Sequence, residues 1–166
     1  HMLWRTGKPI WEALSWAQKA FELAERLGAP EVLAPCYNDL GTISLDSEEF
    51  EKATEYYEQG LKIALENNCV GSAIRLYNNL CNLYWDIGEF QKMFETAQKG
   101  SELAKKVGDV KRLTMINSLL GAILFAYGEV QKSISMLDDC LALDKRTKSI
   151  AHLPTVMRWL GWFYGY

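Results

Sequence analysis

The stretch YNDLGTISLDSEEFEKA, residues 37–53, returns as YNNLCNLYWDIGEFQKM at 77–93 and as NSLLGAILFAYGEVQKS at 117–133. Each copy lies 40 positions beyond the last, and the pair Leu160-Gly161 continues the series. Units repeated at such a period bury only half of a hydrophobic core each, so they must stack on their neighbours. The repeat therefore predicts a continuous stack of similar units.

Within each unit the apolar residues follow the helical period, and a short turn divides the unit into two helices. This pattern predicts an all-α chain of about eight antiparallel helices, over 9–27, 30–46, 49–67, 70–86, 89–107, 110–127, 129–145 and 149–164. Gly28, Asn68 and Gly108 are expected to end helices, and Ser47 is expected to cap the next helix. Pro35 is expected to kink or delay its helix.

The repeats predict one domain over residues 1–166. It comprises a leading second helix within 3–29, full repeats at 34–73, 74–113 and 114–153, and a truncated repeat at 154–166. Because both terminal repeats are incomplete, we expect the chain to be a piece of a larger protein. Four small residues share one register position and are expected to let neighbouring helices approach closely: Ala20, Gly60, Gly100 and Cys140.

Composition excludes several classes of function. A net charge of −3 argues against a nucleic-acid or anionic-membrane surface, which needs a basic stripe. The cysteines Cys36, Cys69, Cys81 and Cys140 form no Cys-x-x-Cys pair, so no metal site is expected. No apolar run approaches the roughly 20 residues that span a bilayer. Neither a phosphate loop nor a catalytic triad is present, so we expect no cofactor and no catalytic residues. The cysteines are expected to be free thiols, which suits a reducing, cytoplasmic setting.

The Leu-Gly pair, the Phe-x-x-Ala motif at Phe50 and Ala53, and the following Tyr57 together resemble the tetratricopeptide repeat. A 40-residue version is similar to the repeats of kinesin light chains, spindle-orientation adaptors, peptide-pheromone regulators and MalT-like regulators. The third unit departs most, since Asn117 replaces the aromatic residue and Ser133 replaces the alanine. The resemblance implies a right-handed α–α superhelix, in which the first helix of each repeat lines a concave groove.

Three asparagines fall on the predicted groove positions, Asn38, Asn78 and Asn82, with Asn79 beside them. An asparagine amide offers both a donor and an acceptor. It can therefore pair with the N–H and C=O of one peptide unit, whatever side chain the ligand carries. These residues are predicted to hold the backbone of an extended peptide, while an ordinary solvated polar face is the alternative.

Other groove positions carry arginine or aromatic residues. Arg75 and Arg158 suit an acidic partner, because a guanidinium donates two parallel hydrogen bonds to a carboxylate. Trp85, Phe125 and Trp162 form an aromatic line of the kind that anchors interfaces. For Trp162 a core position, awaiting a further repeat, is the alternative.

The sequence thus predicts a non-catalytic scaffold that binds an extended peptide or a partner helix in its groove. One alternative is self-association, a homo-oligomer formed through exposed terminal helices that carry Trp4, Trp11 and Trp16. The other is a ligand-sensing arm of a MalT-like signalling regulator. No nucleic-acid or membrane partner is expected, and the identity of the protein partner stays open.

Overall fold

The computed structural model describes residues 9–147 and Gly161. These residues form seven α-helices: α1 (Ile10–Leu27), α2 (Pro30–Asp46), α3 (Phe50–Glu66), α4 (Val70–Asp86), α5 (Phe90–Val107), α6 (Val110–Ala126) and α7 (Val130–Thr147). The predicted helices over this part of the chain are confirmed, with ends that differ by at most two residues. The helix predicted over 149–164 lies outside the described residues, except that Gly161 is helical.

The chain divides into two compact units, His1–Gly88 and Glu89–Tyr166. In the first unit α2 packs against α1, α3 and α4, and α3 also packs against α4. In the second unit α6 packs against both α5 and α7. Each unit is therefore built from successive antiparallel helices, with the first helix of one repeat covered by the second.

The second helices of the three full repeats bury the same positions. Sixteen successive residues follow one pattern of buried and exposed positions at 51–66, 91–106 and 131–146. In α3 the buried members are Ala53, Tyr57, Gly60 and Ala64, spaced by three or four residues along one face. This spacing is that of a helix whose apolar stripe faces a core. The sequence period is thus also a period of burial.

Gly60 lets α3 approach both of its neighbours. A Cβ atom on Gly60 would lie 2.8 Å from Cβ of Tyr37 in α2 and 3.3 Å from the methyl groups of Leu76 in α4. The close crossing predicted at this register position is therefore present in α3. Ala20, at the equivalent position in α1, is instead exposed, because the described helices place only α2 against α1.

Left-handed residues end the helices, as predicted for Gly28, Asn68 and Gly108, whose φ angles are 59°, 55° and 72°. The prediction for Ser47 was wrong. Its hydroxyl donates to the carbonyl of Ile43 in the preceding helix, and Glu49 precedes α3 without a side-chain cap bond. Glycine occupies the turn after α4 and α6, whereas Glu48 holds the corresponding left-handed conformation after α2.

Pro35 neither delays nor ends its helix, because α2 runs from Pro30 to Asp46 and includes it. The prediction of a delayed start was wrong. Pro30 occupies the first turn, where the missing N–H costs nothing, and the helix continues through Pro35 on the packing of its buried face.

The polar residues that distinguish the third repeat have partners within the second unit. The Ser133 hydroxyl is buried and donates to the carbonyl of Gly121 at 2.6 Å, and the Ser101 hydroxyl donates to Oδ1 of Asn117 at 2.6 Å. Asp109 caps α6 by accepting from the backbone N–H of Arg112. Burial raises the pKa of the Asp109 carboxyl, but the bonds and charge of Arg112 outweigh it and hold that pKa below its usual value.

Candidate functional site

A cavity of about 500 Å³ opens in the first unit between α2, α3 and α4. It exists because α2 and α4 are both first helices of their repeats and lie side by side, with α3 behind them. The cavity is lined by polar and apolar side chains from all three helices: Thr42, Leu45, Asp46, Phe50, Tyr57, Asn79, Asn82 and Asp86. Two of the predicted asparagines, Asn79 and Asn82, are therefore brought to one surface.

A chain of side-chain amides connects α4 to α2 beside this cavity. Nδ2 of Asn79 donates to Oδ1 of Asn38 at 2.8 Å, across the two helices. Weaker contacts of 3.4 Å extend the chain, from Nδ2 of Asn78 to Oδ1 of Asn79 and from Nδ2 of Asn38 to Oδ1 of Asp39. The amides thus hold two neighbouring repeats in register.

Burial separates the four asparagines into two pairs. Asn38 and Asn78 are only 6% and 7% exposed, and neither lines the cavity. Asn79 is half-buried and Asn82 is exposed, and both line it. In this structure, a ligand in the cavity would meet the amides of Asn79 and Asn82, while Asn38 and Asn78 support them from within.

Replacement of Asn79 by alanine is expected to destabilise the chain, whereas replacement of Asn82 by alanine is expected to leave its stability almost unchanged. Without Asn79 the buried Oδ1 of Asn38 loses its 2.8 Å donor, which should lower the free energy of unfolding by about 1–3 kcal/mol. Asn82→Ala removes an exposed side chain and should change that free energy by less than about 0.5 kcal/mol. Urea unfolding followed by circular dichroism measures both, and equal losses would contradict an amide chain that joins α2 and α4.

Two residues that line the cavity, Thr42 and Tyr57, carry hydroxyl groups that lie close together. The Thr42 hydroxyl donates to the backbone carbonyl of Asn38 at 2.9 Å, and its oxygen lies 3.1 Å from the Tyr57 hydroxyl. Because threonine carries a single hydroxyl hydrogen, Tyr57 must be the donor in the second bond. The hydroxyls therefore fix the Tyr57 ring against α2.

Two carboxylates complete the lining, and they are not among the site residues predicted from the sequence. Asp46 and Asp86 end α2 and α4 at equivalent positions of the 40-residue period, whereas the third repeat has Ala126 there. Asp46 is half-buried and Asp86 is exposed. The signal that could have revealed them is this recurrence of aspartate at one register position. Among the residues that the structure describes, no lysine or arginine lines the cavity.

Of the remaining predicted residues, those that the structure describes do not line this cavity. Arg75 is exposed on α4, and Trp85 is half-buried on the same helix. Phe125 is half-buried on α6, in the second unit. Arg158 and Trp162 lie outside the described residues. The structure therefore brings Asn79 and Asn82 to the lining of one cavity, and the roles of all the predicted residues stay predictions.

The buried cysteines are poor nucleophiles. Burial raises the pKa of the Cys81 thiol to about 12, and burial together with the charges of Asp144 and Asp139 raises that of Cys140 to about 12. A thiolate, the reactive form, is thus scarce at either position. Over residues 9–147 no group of three side chains suited to a metal ion occurs. None of the helices in that range is both long and apolar enough to cross a membrane.

A comparison with protein-family models finds a match over the first part of the chain. Residues 3–66 match the sequence model of the tetratricopeptide repeat family. A search of curated proteins found no match. The resemblance to tetratricopeptide repeats is confirmed by the family match together with the fold.

Solved structures with the same fold share little sequence with this chain. BtubC (BKLC) from P. vanneervenii is 19% identical with a TM-score of 0.80, over 95% of this chain and 66% of that one. Aspartyl phosphate phosphatase F from Bacillus subtilis is 14% identical with a TM-score of 0.86, over 93% and 40%. TPR-like repeats of a putative kinesin light chain from Podosopora anserina are 16% identical with a TM-score of 0.70, over 94% and 79%. The chain thus spans under two thirds of the first two proteins, and these likenesses concern the fold alone.

Proposed function

We propose that this chain of tetratricopeptide-type repeats is a non-catalytic scaffold that binds an extended peptide segment of another protein in the cavity of its first unit. The observation that carries the proposal is the joint lining of one open cavity by two amides, Asn79 and Asn82, and two carboxylates, Asp46 and Asp86. Stacked helical repeats commonly use such surfaces for protein partners rather than for chemistry. The proposal requires no cofactor, and the four free thiols suit a reducing, cytoplasmic setting.

The amides supply recognition that is independent of the ligand's sequence. Each presents an N–H donor and a C=O acceptor, which together match the two hydrogen-bonding groups of a peptide unit. Asn79 is already oriented by its bond to Asn38, so little side-chain freedom is lost when a ligand binds. Asn82 is exposed and contributes the second amide three residues further along α4.

The carboxylates favour peptides with basic side chains. Residues 1–88 contain 7 Lys and Arg against 13 Asp and Glu, a formal charge of −6, whereas residues 89–166 contain 11 against 8, a charge of +3. The cavity thus lies in the acidic part of the chain and adds two carboxylates of its own. A lysine or arginine of the ligand, placed between Asp46 and Asp86, would complement this charge.

Selection from a randomised peptide library on the immobilised chain tests the proposal. We expect the enriched peptides to contain Lys or Arg at one fixed position. Asp46→Asn and Asp86→Asn should each weaken binding of an enriched peptide by up to about fivefold, the range of partly exposed ion pairs. Asn82→Ala should weaken it without loss of stability, and higher salt should weaken it for the parent.

Glu51→Gln is the matched control, because Glu51 is an exposed acid on α3 that does not line the cavity. It changes the net charge of the first unit by the same amount as Asp86→Asn. If Glu51→Gln weakens binding as much as Asp86→Asn, the effect comes from the overall field and the cavity is not the site. Enrichment of acidic peptides, or no enrichment, would also reject the proposal.

A further inference from the structure

A second open cavity, of about 530 Å³, lies along α6 and α7 in the second unit. Its size is usual for a small-molecule site. The described lining includes Asn117 and Leu124 of α6, together with Ser135, Met136 and Asp139 of α7. We name it the α6–α7 cavity. It shares no lining residue with the peptide site proposed above, which belongs to the first unit.

The first unit shows what fills the equivalent place in its own repeat. The Tyr37 ring of α2 lies between two other aromatic rings. Its centroid is 5.0 Å from that of Phe21 on α1 and 6.3 Å from that of Tyr56 on α3. All three residues are half-buried. A tyrosine ring thus occupies the crevice between this first helix and the second helices before and after it.

All three of these rings are absent from the same register positions of the second unit. Two periods further along the chain, the equivalent residues are Ser101 on α5, Asn117 on α6 and Met136 on α7. They are half-buried like the rings they replace, and Asn117 and Met136 line the α6–α7 cavity. The cavity therefore lies at the register position where the first repeat places its central ring.

The polar lining suits a ring that carries a hydroxyl group. Oδ1 of Asn117 accepts from the Ser101 hydroxyl at 2.6 Å, and this bond orients the amide. Nδ2 of Asn117 makes no further hydrogen bond within the described part of the chain, so it is available to donate to a ligand oxygen. The Asp139 carboxylate and the Ser135 hydroxyl can accept from a ligand O–H group.

We propose that the α6–α7 cavity binds a small phenol, whose ring takes the place of the missing tyrosine ring. The ring contacts Leu124 and the thioether of Met136, a group that packs favourably against aromatic rings. The phenol oxygen accepts from Nδ2 of Asn117, and its hydrogen is donated to Asp139 or Ser135. The chain thereby gains a small-molecule site that is independent of the peptide site in the first unit.

NMR of the methionine methyl groups tests this site directly, with p-cresol, the side chain of tyrosine as a free molecule, as the probe. The chain has five methionines, so the spectrum is simple, and Met136→Leu assigns the signal of Met136. We expect p-cresol to shift that signal in a saturable manner, because an aromatic ring current acts only on its close neighbours. Met93, which is buried in α5, should not respond.

Toluene tests whether the hydroxyl group is recognised. It is the same molecule as p-cresol without its oxygen, and it forms no hydrogen bond with the Asn117 amide. We expect it to bind about threefold to tenfold more weakly, the range expected for the loss of one hydrogen bond. In Asn117→Leu, which lacks the amide, the two compounds should bind with nearly equal affinity.

Asn117→Tyr supplies the ring from the chain itself, as Tyr37 does in the first repeat. In this variant the Met136 signal should be shifted before any ligand is added, and p-cresol should bind at least about tenfold more weakly. Gln98→Tyr is the matched control, because it adds the same ring at an exposed position of α5 that does not line the cavity. It should bind p-cresol as the parent does, and thermal unfolding checks that both variants are folded.

Other outcomes would reject the proposal. A shift of the Met136 signal that does not saturate, or that Met93 shares, indicates unspecific solvation rather than a site. If toluene binds the parent as tightly as p-cresol, the polar lining does not select a phenol. If the folded Asn117→Tyr variant binds p-cresol like the parent, the ligand does not occupy the place of the missing ring.

Discussion

Replacement of Tyr57 by alanine is expected to lower the free energy of unfolding by about 3–5 kcal/mol, the largest effect of any single substitution considered for this chain. Tyr57 is 1% exposed, and its ring lies against the backbone of α2 at Gly41. Truncation would leave a cavity between α2 and α3 that neither helix can fill without breaking the packing of its other face. Urea or thermal unfolding followed at 222 nm measures the change.

Tyr57→Phe separates the ring from its hydroxyl. This variant keeps the buried ring and loses the bond to Thr42, so the expected loss is about 0.5–1.5 kcal/mol. If alanine and phenylalanine cost the same, the hydroxyl bond rather than ring packing would determine the stability at this position. The assignment of the ring as the main contact between α2 and α3 would then be wrong.

Gly41→Ala is expected to destabilise the chain by about 1–3 kcal/mol, although alanine is the better helix former. The added Cβ would lie 2.6 Å from Cδ1 and Cε1 of Tyr57, closer than carbon atoms approach, so the ring, which is only 1% exposed, would have to leave its packed position. The crowding therefore outweighs the gain in helix propensity, which is at most about 1 kcal/mol.

Gly71→Ala is the matched control for this prediction. Gly71 is also a helical glycine, on α4, but a Cβ atom there would meet nothing within 4 Å. The same chemical change should therefore raise the free energy of unfolding by up to about 1 kcal/mol. If both substitutions shift stability in the same direction, the close approach at Gly41 is not what sets its effect.

The double variant Gly41→Ala with Tyr57→Ala tests whether the two positions act together. Once the ring is gone, the Cβ atom at position 41 meets open space, so the penalty of Gly41→Ala should disappear. The combined loss should fall short of the sum by about 1–3 kcal/mol, within the range of coupled neighbours. Strict additivity would show that residue 41 does not contact residue 57.

The 40-residue period determined the helices, their approximate ends and the positions that must be small or buried. A periodic sequence repeats every local preference together with every packing position, so each helix is predicted several times over. The burial pattern shared by 51–66, 91–106 and 131–146 follows from this redundancy. The residues that end the second helices could also be predicted, because Gly28, Asn68 and Gly108 occupy one register position and tolerate a positive φ.

At Ser47 the local sequence was not sufficient to predict the structure. A serine between two helices suits the end of the first helix and the start of the second, and only the backbone path decides between them. In the structure its hydroxyl returns to Ile43 in α2, and Glu48 takes the left-handed conformation that glycine holds in the other repeats. Both alternatives satisfy the same sequence pattern.

Only the tertiary structure decided which asparagines face the cavity. Adjacent helical residues differ by about 100° in direction, so Asn78 and Asn79 point to different surroundings although both lie near the predicted groove. The neighbouring helix places Asn78 inside and Asn79 on the lining, and it brings Asp46 and Asp86 to the same opening from separate helices. The repeat period predicts which residues occupy equivalent positions along the chain. The rotation of each helix against its neighbours, which determines what a side chain meets, depends on packing that no single repeat encodes.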